Sequence, residues 1–251
     1  MKKEVFKGEV YPFTTEEIAT YFSLIDFYKK KVFTVGSSFD QVLNALLLGA
    51  KDVLLYDINE NAQEFSQIKM EIIKDTPSRE EMYKKVLDVK DVPLSNDLFS
   101  YDLLTKMNYY MSSDENYEKL RNILKLKDYN LRYIQGDILD ISCLKDEKFD
   151  VMILSNILQY LPSFTREGES DENLFKQIFK NFYEHLNNDG LLQLLYYYGF
   201  TPSLLRCNYQ SYKYLRIMLN LLCEEVKFEE FNNSNANNSN DAVLLYRKKG
   251  K

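Results

Sequence analysis

The stretch that most constrains the fold is KVFTVGSSFDQVLNALLLGAKDVLLYDIN, running from Lys31 to Asn59. A β-branched run (Val32, Phe33, Thr34, Val35) stops at Gly36 and two serines. Such a run reads as a buried strand and the glycine as a sharp turn. The spacing predicts a helix over Phe39–Leu48, with Val42, Leu43, Leu46 and Leu47 inward and Gly49 closing it. A second strand, Val53–Tyr56, stops on Asp57. Strand, turn, helix and strand in this order outline a nucleotide-binding βαβ unit. Two of the three glycines usual in its turn are missing.

The flanking segments extend the alternation. Thr14 stands three residues before Glu17, a capping-box pattern, and predicts a helix from about Thr15 to Tyr28 within an N-terminal helical segment, residues 1–30. A helix over Glu60–Lys74 follows the second strand. Residues 75–127 then break the pattern with helical stretches separated by Pro77, Pro93 and serines. An insertion of this length between parallel strands is expected to be a helical piece covering the substrate side. Strands resume at Leu131–Gln135, with Gly136-Asp137 as the turn, and in KFDVMILSN. A helix over about Asp171–Leu186, an NNDG turn, a strand over Leu191–Tyr197 and a helix near Ser203–Leu221 come next. The chain finishes on EEVKFEEF and DAVLLYRKK, two strands separated only by NNSNANNSN, so they run antiparallel. The expected fold is α/β: one domain, residues 1–251, with a doubly wound, mostly parallel seven-stranded Rossmann-like sheet, an antiparallel C-terminal hairpin and the helical insertion. That ending is the signature of the class I S-adenosylmethionine-dependent methyltransferase fold.

Composition narrows the function classes. A net charge of −6 disfavours a polyanion, so no nucleic-acid partner is expected. Cys143, Cys207 and Cys223 are far apart, and His185 is the sole histidine, so no metal site is expected and no Ser/His/Asp triad can be built. The absence of a signal-like N-terminus and of a long apolar run predicts a cytoplasmic protein without a transmembrane segment.

Three strand ends carry polar residues: Gly36-Ser37-Ser38, Asp57 and Asp137. Asp57 lies 21 positions after Gly36, the offset of a carboxylate that accepts both ribose hydroxyls. The turn favours a sulfonium cofactor over a pyrophosphate. A pyrophosphate needs close backbone approach at the helix N-terminus, which repeated glycines permit. Here Ser, Ser and Phe obstruct that approach, and Asp40 adds negative charge. Taken singly, Gly36 also reads as a plain turn, Asp57 and Asp137 as helix caps, and SNILQYL as a helix start on the core. Tyr160, Asp40 and the insertion tyrosines are candidate bases.

The motif TVGSSFDQVLNALLLGAKDVLLYDIN, the helix containing IKMEII, VYPFTTEEIATYF before it and FDVMILSNILQYL after it resemble a methyltransferase-fold family. That family includes the S-adenosylmethionine:diacylglycerol 3-amino-3-carboxypropyltransferases of betaine-lipid synthesis. The resemblance spans roughly Tyr11 to Leu161. It implies S-adenosylmethionine as cofactor, with Gly36, Ser37 and Ser38 beside its methionine part. Asp57 would hold the ribose, with Ile58 and Asn59 beside the adenosine. Asp137, with Ile138, would accept from the adenine amino group, and Ser155 and Asn156 would reach the methionine or the acceptor. The implied partner is a small-molecule acceptor, lipid-like or a metabolite, taking a methyl or a 3-amino-3-carboxypropyl group. The alternatives are a nucleoside-binding protein without turnover and an NAD-linked oxidoreductase.

Overall fold

The computed structural model describes residues 10–36, 38–160, 171–200, 226–232 and 240–249. The chain divides into two compact units, Lys3–Gly136 and Asp137–Lys251 with Met1–Lys2. The fold is α/β, with parallel strands and an antiparallel C-terminal hairpin.

In the first unit, β1 (Lys31–Val35), β2 (Asp52–Asp57) and β3 (Asn130–Gln135) form a parallel set with β2 in the middle. Val32, Phe33, Val53, Leu54, Leu55 and Tyr56 are almost completely buried, as near-continuous apolar strands require when both faces are covered. Parallel pairing puts Gly36, Asp57 and Gly136 at the same strand-end edge. The crossover helices are α2 (Asp40–Leu47) and α3 (Asn61–Asp75). Gly49, at φ 101°, closes α2 in the left-handed conformation expected of a glycine C-cap.

Every residue of α2 is buried, not only its apolar stripe. The insertion explains this. It comprises α4 (Arg79–Val89), α5 (Tyr101–Met107), α6 (Tyr109–Ser112) and α7 (Asp114–Leu126), and both α6 and α7 pack on α2. Helix α7 also finishes α3: the Tyr117 hydroxyl donates to the Thr76 carbonyl at 2.9 Å, and the Arg121 Nε donates to the Ile73 carbonyl at 3.2 Å. These carbonyls lack intrahelical donors, so the insertion caps the core helix.

One expectation changes near the N-terminus. Helix α1 covers only Ile18–Phe22, against about Thr15–Tyr28 from the sequence, and Thr14 makes no capping box. The Thr14 N–H is taken by the Asp40 carboxylate, 26 residues away, and the Thr14 hydroxyl accepts from the Glu16 N–H. Capture of the Thr14 N–H takes the donor that Glu17 would accept from in a capping box.

In the second unit, β4 (Phe149–Ile153) pairs parallel with β5 (Leu186–Phe200) across α8 (Asp171–Glu184). Leu174, Phe175, Ile178 and Phe182 form the buried face of α8. Strand β7 (Asn240–Arg247) pairs antiparallel with both β5 and β6 (Val226–Asn232). The NNDG segment, expected as a turn before the strand, lies inside β5 as an irregularity. Phe149 pairs with Leu186 and Val151 with Leu191, so residues 187–190 bulge out, with Asp189 at φ 60°. The helix expected near 203–221 and residues 233–239 of the hairpin loop lie outside the described residues.

A buried ion pair organises the first unit. Lys69 Nζ lies 2.7 Å from Asp40 Oδ1, and both side chains are fully buried. The ammonium also donates to the Ser38 carbonyl (2.9 Å) and the Pro12 carbonyl (2.8 Å), under the Phe13 ring. Asp40 Oδ1 further accepts from the Tyr110 hydroxyl at 2.6 Å. Burial lowers the Lys69 pKa, and the Asp40 carboxylate opposes that shift. Breaking one side of such a pair leaves a buried charge unpaired. Lys69→Met is expected to destabilise the protein by about 3–5 kcal/mol in urea denaturation, with Asp40→Asn in the same chain recovering much of it. A loss below about 1 kcal/mol for the single substitution contradicts this role for the pair.

Candidate functional site at the strand ends

The turn after β1 answers how a glycine-poor motif can exist. A Cβ on Gly36 would lie 2.0 Å from Leu55 Cδ1, so this one glycine is enforced by β2 packing beside it. The left-handed residue of the turn is Phe39, at φ 70°, and its side chain is buried. A bulky residue adopts that conformation only when its surroundings hold it there. Phe39 thus turns inward, and the places where a dinucleotide turn repeats its glycine hold Ser38 and Gln41.

Ser37 lies outside the described residues. Ser38 is fully buried: its carbonyl accepts from Lys69, and its hydroxyl accepts from the Asp40 N–H at 3.4 Å. Asp40, a candidate base, has both oxygens engaged and no exposure. Its charge is matched internally by Lys69. The electrostatic half of the argument against a pyrophosphate therefore falls, and the steric half stands.

Gly36, Asp57, Ile58 and Asn59 are brought together. The Asp57 carboxylate accepts from the Asn59 N–H at 2.8 Å and also from the Gly36 and Ile58 N–H groups. Two strand ends are thus joined through one side chain. Burial raises the Asp57 pKa, and the Asn59, Gly36 and Ile58 donors pull it back down. A carboxylate offers about four acceptor positions, so three N–H donors leave room for a ligand hydroxyl. Ile58, a large apolar side chain, is exposed beside it.

Strand β3 holds this loop from the side. The Tyr133 hydroxyl donates to the Asn59 carbonyl at 2.9 Å, and its pKa is pushed up to about 12 by burial and then by the Asp57 charge. Gly136 permits that closeness of β2 and β3, because a Cβ there would lie 2.1 Å from the Tyr56 hydroxyl.

The remaining candidates belong to the second unit. Asp137 Oδ1 accepts from the Leu139 N–H at 2.9 Å, an Asx turn after β3, and Ile138 is buried. Ser155 and Asn156 follow β4 and are half-buried, with Ser155 in the left-handed region at φ 56°. Tyr160 ends a 3-10 turn, Ile157–Tyr160, and its side chain lies outside the described residues. His185 Nδ1 lies 2.7 Å from the Glu147 carbonyl, a structural contact.

Among the insertion tyrosines, Tyr83, Tyr110 and Tyr117 are buried in packing, and Tyr83 contacts Phe13 and Tyr101 rings. Among the described residues, Gln41 Oε1 and Asn108 Nδ2 are buried without a hydrogen-bond partner, and Asn44 of α2 donates to Asn108. Among the described residues, no group of three His, Cys, Asp or Glu is placed to hold a metal, and no helix is long and apolar enough to cross a membrane.

Sequence reasoning missed Lys69, Tyr133 and Gln193. A signal existed only for Gln193: an amide inside the apolar run LLQLLYYY must find buried partners.

No family model matches the chain, and no curated protein matches it. Solved structures do. An rRNA methylase from Streptococcus thermophilus is 10% identical over 92% of this chain and 95% of that one, with a TM-score of 0.48. A methyltransferase from Pyrococcus furiosus is 13% identical over 93% and 83%, with a TM-score of 0.45. A candidate methyltransferase from Streptococcus mutans, solved in complex with SAH, is 15% identical over 94% and 99%, with a TM-score of 0.46.

The Asp57 shift has a signed consequence. A carboxyl with a raised folded pKa favours folding while it is protonated, and that contribution is lost as pH rises through the folded value. Ribose binding needs the ionised acceptor. Nucleoside affinity is therefore expected to grow with pH, by up to about tenfold per unit, below the raised Asp57 pKa. Calorimetric titration with S-adenosylhomocysteine between acid and neutral pH measures it. An affinity flat across that window removes Asp57 from ribose recognition.

Proposed function

We propose that this chain is an S-adenosylmethionine-dependent transferase acting on a small-molecule acceptor. The observation that carries the reading is the Asp57 carboxylate, half-buried at the end of β2 and tied to the Gly36 turn. In this reading Asp57 accepts from the ribose, exposed Ile58 lies against the adenine, and Asp137 receives the adenine amino group. Ser38 and Gln41, standing where a dinucleotide turn repeats its glycine, argue against the NAD-linked alternative.

The cofactor, when bound, supplies a carbon already activated by the sulfonium. The protein's own task is to align an acceptor in line with it and to exclude water. Asp40 is committed to Lys69, so the candidate proton acceptors are Tyr160 and the half-buried insertion tyrosines Tyr101 and Tyr109. Residues 1–251 act together as one methyltransferase-like domain on a seven-stranded sheet, with 75–127 covering the substrate side. Whether methyl or 3-amino-3-carboxypropyl moves depends on which carbon faces the acceptor. The engagement of Asp40 also favours a second reading, a nucleoside-binding protein without turnover.

Equilibrium binding tests the proposal. S-adenosylmethionine, S-adenosylhomocysteine and methylthioadenosine are expected to bind, and NAD to bind much more weakly. Asp57→Ala is expected to lower affinity by about 1.5–3 kcal/mol through lost charged hydrogen bonds. Unchanged affinity in a folded variant contradicts the assignment. Product analysis separates the rest: methyl transfer leaves S-adenosylhomocysteine, the other transfer leaves methylthioadenosine, and a binding protein leaves neither.

A further inference from the structure

We infer that Gln193 is a positioning residue that holds the Ser155–Asn156 turn in its ligand-facing conformation. This rests on the function proposed above, with the Ser155–Asn156 turn reaching the amino-acid end of the cofactor as the family resemblance implies.

Strand β4 pairs with β5 as far as Ile153, opposite Gln193, and the Leu154 N–H still donates to the Gln193 carbonyl at 3.0 Å. At the next residue the Gln193 side chain joins the pairing. Its Oε1 accepts from the Ser155 N–H at 2.7 Å, and its Nε2 donates to the Ser155 carbonyl at 3.3 Å. The primary amide thus reads both backbone groups of one residue, as a neighbouring strand would. The Tyr196 N–H adds a third bond to the Ser155 carbonyl at 3.1 Å.

Ser155 needs that support, because φ 56° is unfavourable for a residue with a Cβ. A residue held in this region persists where its surroundings over-determine it, and such residues cluster at ligand sites. Gln193 has no solvent exposure, so its amide serves the turn and not a ligand. It lies where the parallel β4–β5 pairing reaches the carboxyl end of β4, the edge at which ligands of open α/β sheets bind. The strand run LLQLL carries an amide because an apolar residue there would leave the Ser155 N–H unpaired.

The test uses two ligands that differ at the amino-acid end. S-adenosylhomocysteine carries it; methylthioadenosine lacks it. Gln193→Met keeps length and volume while removing both hydrogen bonds. We expect at least about tenfold weaker S-adenosylhomocysteine binding, with methylthioadenosine affinity changed less than about threefold. Equal loss of both ligands, or loss of neither, overturns the inference.

Should Gln193→Met fail to fold, Ser155→Val and Ser155→Gly carry the same test without touching the core. Both remove the hydroxyl, but only glycine tolerates the positive φ. Valine is expected to weaken S-adenosylhomocysteine binding at least about tenfold more than glycine does, and equal effects overturn the inference. A native protein that binds neither ligand fails the proposed function itself and takes the inference with it.

Discussion

The first unit depends on the Lys69–Asp40 pair. Two opposite charges with no solvent exposure are tolerable only when every remaining donor and acceptor is met. Lys69 has three donors and uses all three, on Asp40, Ser38 and Pro12. Asp40 meets Lys69, Tyr110 and Thr14. Four segments distant in sequence are drawn to one point: the N-terminal strand of chain, the turn after β1, helix α3 and the insertion. The shortened α1, the buried polar face of α2 and the seat of α6 all follow from that convergence.

The pair also separates structure from function at the turn. Had Asp40 been free, its charge would colour whatever ligand lies beyond β1. With Lys69 matching it, the carboxylate left to meet a ligand in this unit is Asp57. Asp57 is held differently: it has backbone donors and no cation, so burial raises its pKa despite those donors. A ribose with two adjacent hydroxyls suits such an acceptor, because it adds donors without adding charge. Tyr133 and Gly136 keep β3 close enough to clamp the loop.

How much of this was legible in the sequence depended on the range of the interaction. Strands β1, β2 and β3 and helix α2 fall within a residue or two of expectation, because apolar runs and the Gly49 cap are local signals. Asp57 was legible through its spacing from Gly36. The N-terminal helix was overestimated, and the bond that displaces its capping box comes from 26 residues away. Lys69 and Tyr110 carry no local mark of burial; a lysine in a helix reads as solvated until its partner is known. The NNDG segment looked like a turn and is a bulge inside β5, because strand pairing continues on both sides of it. Of the insertion tyrosines read as candidate bases, Tyr83, Tyr110 and Tyr117 fill cores.

The central claim is that Asp57 receives a nucleoside ribose at the end of β2. A crystal structure of the protein grown with S-adenosylhomocysteine tests it most directly. The account predicts a ribose hydroxyl within hydrogen-bond distance of the Asp57 carboxylate and the adenine against Ile58. A nucleoside bound elsewhere, with Asp57 still held only by the Gly36, Ile58 and Asn59 N–H groups, would contradict it.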